Sequence, residues 1–203
     1  MEIPTAAQLR HGCIVFRRHE RRDAMYKTAT FLVGHFWGRP AEMADSLGVL
    51  LLTWNQAFYR YGSFDFAKLE NCIARNMPAL KAFRKRNILD YKAEDDVRIQ
   101  KLFAGFLAAL AIAEGKRVGA QSAVAVAKAM HLLAPAFFPL WDKEIANAYK
   151  CDYAVEPAAQ YLAFLRIAQG MARSLALSDV PREKTVLKLI DEYNYAKFTK
   201  HWV

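Results

Sequence analysis

The sequence predicts an all-α fold. Apolar residues recur at the i, i+3, i+4 spacing of amphipathic helices along most of the 203 residues. No run alternates convincingly as a strand would, and prolines and glycines punctuate the starts and ends of the periodic segments. With no internal repeat, low-complexity linker or heptad series, residues 1–203 are expected to form a single domain.

The elements follow in order. The segment "AEMADSLGVLLLTWNQAFYRYG" (41–62) starts after Pro40 and stops at Gly62. "FDFAKLENCIARNMPALKAFRKRN" (64–87) has the spacing of two amphipathic helices, divided at Pro78. "EDDVRIQKLFAGFLAALAIAEG" (94–115) opens on three acids and closes on glycine, in keeping with the helix dipole. "AQSAVAVAKAMHLL" (120–133) is nearly all apolar and therefore a buried helix. A short helix, "DKEIANAYK", begins at Asp142. The segments 156–177 and 181–202 complete the set, each with proline in its first turn.

Composition narrows the function classes. Hydrophobic residues make up 54% and aromatics 13%, enough for a proper core. Lysine and arginine number 29 against 20 acidic residues, a formal net charge of +9, which favours a polyanionic partner such as nucleic acid. Cys13, Cys72 and Cys151 are odd in number, far apart and without a C-x-x-C pair, which suits reduced thiols in a cytoplasm rather than a zinc or iron–sulfur site. The N-terminus lacks the apolar core of a signal peptide. Lys128, His131, Pro135 and Pro139 interrupt the one window, 122–141, long enough to span a bilayer, so no membrane association is expected. The five histidines, among them His131 as an interior residue, have no metal-ligand spacing, and neither metal nor cofactor is expected.

Three stretches can carry chemistry. In "AEGKRVGAQ" two helices are joined by Gly115–Gly119, with Lys116 and Arg117 between the glycines. This is either an ordinary αα-turn or a phosphate grip built from helix N–H groups and the two cations. In "HLLAPAFFPLWDKEIANAYK" (131–150) an apolar helix runs into a proline-rich aromatic turn, and Asp142 opens the next helix. Asp142 is either a helix N-cap alone or a cap that also acts as a catalytic carboxylate. In "LGVLLLTWNQAFYR" (47–60) and just beyond it, Trp54, Phe58, Tyr59 and Tyr61 can supply stacking faces, with Trp54, Phe58 and Tyr61 alternatively helix-spaced core residues, whereas the adjacent Asn55 and Gln56 fit poorly in a core.

This succession resembles the helix-hairpin-helix DNA glycosylase superfamily. There a glycine-bounded hairpin grips phosphate, an apolar helix follows, and a Pro-Val-Asp turn presents the catalytic aspartate. Here the turn reads Pro139-Leu140-Trp141-Asp142, one residue longer, and of the family's Leu-Pro-Gly-Val-Gly hairpin only Val118-Gly119 is kept. The resemblance covers 40–150 and implies a two-lobed helical bundle with the hairpin element at about 96–133. It implies a DNA glycosylase that flips out a modified or damaged base and hydrolyses its N-glycosidic bond. Size and the "WNQAFYR" and "FFPLWD" segments are similar to phage-defence members acting on glucosylated hydroxymethylcytosine. Asp142 would be catalytic, and Trp54, Asn55, Gln56, Tyr59 and Trp141 would serve the base pocket or flipping. Lys116, Arg117, Gly119 and Gln121 would contact phosphate. Bifunctional members place a Schiff-base lysine where this chain has Gln121, so a monofunctional enzyme is implied. Lys128, seven residues on, is either a substitute amine or a snorkelling or ion-paired lysine.

The clusters "FRRHERR" (16–22) and "KAFRKRN" (81–87) are either solvated faces or tracks for the phosphate backbone. The expected partner is double-stranded DNA, bound by a monomer. The rival reading is a non-enzymatic helical DNA- or RNA-binding protein in which Asp142 only caps. A protein–protein adaptor with an incidental basic surface is a third.

Overall fold

The structure, a computed structural model, describes residues 3–175 and 184–203. Among them the chain is helical nearly throughout, as expected, with ten α-helices. Two of these precede the first expected one: α1 (Ala6–His19) and α2 (Ala24–His35). Helix α1 starts at a capping box, in which Thr5 and Gln8 satisfy each other's backbone N–H groups at 2.8 and 3.3 Å. The basic run 16–22 is therefore the end of α1 and the connection to α2, with Phe16 in the core and the arginines exposed.

Helix α3 (Pro40–Trp54) ends earlier than expected. The chain breaks at Asn55 before the single turn α4 (Gln56–Tyr59). Helix α5 (Phe66–Arg84) is continuous, not divided at Pro78. Pro78 and Ala74, whose carbonyl loses its partner, are both exposed, so water replaces the missing donor. Helix α6 (Asp96–Ala109) stops a turn and a half short of Gly115. The residues beyond it pair instead: β1 (Gly62–Ser63) and β2 (Glu114–Gly115) form a small antiparallel ladder that the sequence did not signal. Helices α7 (Ala123–Leu133), α8 (Lys143–Ala148), α9 (Pro157–Ser174) and α10 (Val186–Asn194) follow, and a π-helical turn spans Tyr195–Thr199. Residues 176–177 and 181–183 of the last two expected helices lie outside the described residues.

One apolar core runs from Leu9 to Tyr193. The middle helices pack on one another, α3 against α5, α2 and α7, and α6 against α5, α7 and α9. The chain ends meet, α1 lying along α10 and the π-turn, with α8 against that turn. A cavity of about 240 Å³ opens between these two groupings.

Candidate functional site

The turn between α7 and α8 is the rigid floor of the site. Its backbone is buried but irregular, so each carbonyl needs a partner from elsewhere. Pro135 O accepts from Thr185 Oγ1 at 3.1 Å and Ala136 O from the Ile88 N–H at 2.8 Å. Phe138 O pairs with His131 Nδ1 at 2.7 Å and Pro139 O accepts from Tyr161 Oη at 2.8 Å. A carbonyl can only accept, so His131 carries its proton on Nδ1, and Nε2 accepts from Tyr26 Oη at 3.1 Å. His131 is wholly buried, which pushes its pKa down to about 4. It is the satisfied interior histidine expected.

Trp141 locks the end of the turn. Its indole N–H reaches Ala123 O at 3.3 Å, and its ring packs on Tyr153, Tyr161 and Phe164. The next residue is thereby aimed. Asp142 caps α8, Oδ1 accepting from the Ile145 N–H at 2.9 Å, while Oδ2 accepts from Thr199 Oγ1 at 2.6 Å. Half-buried at the cavity wall, it keeps lone pairs free for a ligand or water.

Trp54 and Lys128 form another wall. The break at Asn55 leaves Trp54 O, at the end of α3, without a helical donor, and Lys128 Nζ supplies one at 2.7 Å while lying 5.0 Å above the indole. Burial lowers the Lys128 pKa to about 8, opposed by the nearby Asp142 and Asp191. The lysine read as a substitute amine or a snorkelling one thus shares the cavity with Asp142. Gln121 is exposed and outside it.

The third wall was not legible in the sequence. Lys188 of α10, 3% exposed, lies 3.0 Å from Asp23, 3.3 Å from Asp191 and 4.0 Å from Glu192. Its ammonium also rests over the rings of Tyr26 and Phe16. Burial disfavours that charge, but Asp191, Asp23 and Glu192 outweigh it and hold the pKa above the ordinary lysine value. Asp23 explains its own oddity: it precedes α2 with φ +43° and leaves the helix uncapped because its carboxylate is committed to Lys188. The one available signal was the Lys188, Asp191, Glu192 spacing on a single helical face.

Other expected site residues are placed as follows. Tyr59 is interior, its hydroxyl donating to Leu110 O at 2.8 Å, so it belongs to the core and not to a base pocket. Asn55 Nδ2 donates to Ser122 Oγ at 3.2 Å, tying the α3–α4 break to the cap of α7, and Gln56 is exposed outside the cavity. Around the hairpin, Lys116 lies 5.3 Å from the Tyr61 ring, itself 59% exposed, and Arg117 lies 5.7 Å from that of Phe58. The Gly119 N–H is not free for phosphate, since it donates to Ile112 O at 2.8 Å. In the 81–87 cluster Arg84 donates to Leu133 O and Arg86 chelates Asp95, so these two are structural; Lys81 and Lys85 remain exposed.

The three cysteines are buried and unpaired by disulfide, with the Cys13 thiol pushed up to about 12 by burial. Among the described residues no group of three or more His, Cys, Asp or Glu is disposed to hold a metal ion, and no helix is long and apolar enough to cross a membrane. Comparison with family models, curated proteins and solved structures finds no match to the chain.

Proposed function

We propose that the chain is a monofunctional DNA glycosylase of the helix-hairpin-helix type, taking a modified or damaged base out of double-stranded DNA and leaving an abasic site. The observation that carries this reading is Asp142, a carboxylate held in one direction at the wall of an aromatic-lined cavity. Its volume, about 240 Å³, is below the roughly 300 Å³ at which drug-sized ligand sites begin, which suits a single ring system. A base turned into the cavity meets Trp54, and water activated beside Asp142 attacks the sugar carbon as the base departs. The carboxylate stabilises the positive charge that develops on the deoxyribose. Arginines 17, 18, 21 and 22 and the Lys116–Arg117 hairpin supply cations for the phosphates.

The test is base release from duplexes carrying uracil, alkylated purines and glucosylated hydroxymethylcytosine, read as alkali-dependent strand cleavage. Asp142→Asn keeps an acceptor for the Ile145 N–H, so fold and DNA binding are expected to survive while release falls by about 10²-fold or more. Wild-type rates in the asparagine variant would reduce Asp142 to a cap. No base release from any duplex by the wild type would instead leave the non-enzymatic DNA- or RNA-binding reading.

A further inference from the structure

The cavity holds a second carboxyl whose surroundings are unlike those of Asp142. Asp191 projects from α10, its side chain 13% exposed, against a wall that includes Phe16, Trp54 and Tyr195. Charged groups reach this region from five elements: Glu20 at the end of α1, Asp23 before α2, Lys128 on α7, Asp142 before α8, and Lys188 and Glu192 on α10 itself, while α9 and the π-turn, which also pack on α10, bring no charged side chain to the cavity. Lys184 pairs with Glu192, and Tyr26 lies over Lys188 as a neutral phenol. Among the groups lining the cavity, the carboxyls Glu20, Asp23, Asp142 and Asp191 outnumber the ammoniums Lys128 and Lys188. Of these carboxyls Asp191 is the one that burial strips of water, and for it the neighbouring negative charge of Asp23 and Glu192 is relieved by taking up a proton.

Asp191 is the member positioned to use that proton. Asp142 has both oxygens engaged by donors, the Ile145 N–H and the Thr199 hydroxyl. Among the described residues, the one hydrogen bond to the Asp191 side chain comes from Lys188, which is shared with Asp23 and stands near Glu192. We infer that Asp191 is a second catalytic residue of the site, an acid that protonates the departing base while Asp142 serves the sugar. This rests on the base-release reading above. Burial raises the Asp191 pKa to about 6 against the opposing pull of Lys188, placing it where a carboxyl can donate near neutral pH.

The step balances. The bond between the sugar carbon and the base nitrogen breaks with its electron pair passing to the base. The Asp191 proton neutralises that base as it leaves. Water bonds to the sugar carbon and gives its proton to Asp142, from which solvent returns it to the Asp191 carboxylate. The sum is addition of one water across the glycosidic bond.

The experiment compares kcat/KM for base release by the wild type, Asp191→Asn and Asp191→Glu between pH 4.5 and 8.5, on whichever duplex of the panel above is processed. The expected wild-type rate falls about tenfold per pH unit above a midpoint near 6. Asp191→Asn should lose that limb, with a rate at pH 5 about 100-fold below wild type and a gap that closes towards pH 8. Asp191→Glu should keep the limb. Thermal melting checks that each variant is folded. If the asparagine variant does not fold, the wild-type profile and the glutamate variant carry the test, and a flat profile in either overturns the assignment. A folded Asp191→Asn with the wild-type profile overturns Asp191 as the acid and leaves the glycosylase reading intact. No base release from any duplex by the wild type overturns both.

Discussion

Asp142 and Lys128 illustrate how position rather than residue type sets chemistry. Both are polar groups inserted in apolar sequence, yet the carboxylate has two donors while the ammonium has one carbonyl and an indole face. A buried cation with so little compensation loses its proton readily. After reductive ¹³C-methylation, Lys128 is expected to titrate with an NMR midpoint near 8, well below the other lysines, and the signal should vanish in Lys128→Arg. At pH 7 the ammonium still predominates. Because Lys128 Nζ is committed to Trp54 O, borohydride is expected to trap no covalent adduct with the abasic product, and strand cleavage should need alkali. A trapped adduct lost on Lys128→Ala would make the enzyme bifunctional, with Lys128 as the amine.

At the scale of the element, the hairpin is shaped by glycines for two separate reasons. Gly115 sits in β2 at φ +88°, where a Cβ would lie 2.3 Å from Tyr61 O, so any side chain forces the strands apart. Gly119 has open space around it, but its φ of +86° disfavours every other residue. Gly119→Ala is expected to cost about 1 kcal/mol by denaturant unfolding, and Gly115→Ala more, through loss of the ladder. Lys116→Ala with Arg117→Ala touches neither feature. That pair should leave stability unchanged, weaken binding to all DNA sequences, and lower the slope of log affinity against log salt by about 2. An unchanged slope would take the hairpin out of the interface.

Across the whole molecule, the α7–α8 turn is pinned by Ile88 beyond α5, His131 of α7, Tyr161 of α9 and Thr185 before α10, and His131 is the member of that set that titrates in the acid range. Its folded pKa, about 4, lies below the unfolded value near 6.5, so its contribution is present above pH 6.5 and lost as pH falls through about 4. The full loss is roughly 3 kcal/mol. Asp191 works in the opposite sense, its raised pKa favouring the folded state at low pH and losing that contribution as pH rises through about 6. His131→Gln offers the same donor and acceptor without titrating. Wild type is expected to be the more stable at pH 7, with the difference shrinking by roughly 3 kcal/mol towards pH 4 in urea unfolding. Parallel stability curves would show that the His131 pKa is the same in the folded and unfolded states.

What was legible in the sequence is what neighbours in the chain decide. Helix periodicity, the glycine-bounded hairpin, the buried helix 120–133 and Asp142 as a cap each depend on residues a few positions apart, where backbone hydrogen bonds are made. Even so, Pro78 signals a break by residue type, while its solvent-facing side, which lets α5 continue, is a tertiary fact, and the Thr5–Gln8 box of α1 is a local signal outside the expected elements. Packing alone decided the site. Tyr59 shares its segment with Trp54, yet one faces Leu110 and the other the cavity. Arg84 and Arg86 look like Lys81 and Lys85 in sequence, and only the fold turns them onto Leu133 O and Asp95. Asp23, Lys128, Asp142, Lys188 and Asp191 lie up to 168 residues apart and meet only because α1 returns to α10 and closes the chain ends over α7. Protonation in that cavity follows from desolvation and neighbouring charge, and neither exists until the helices are packed.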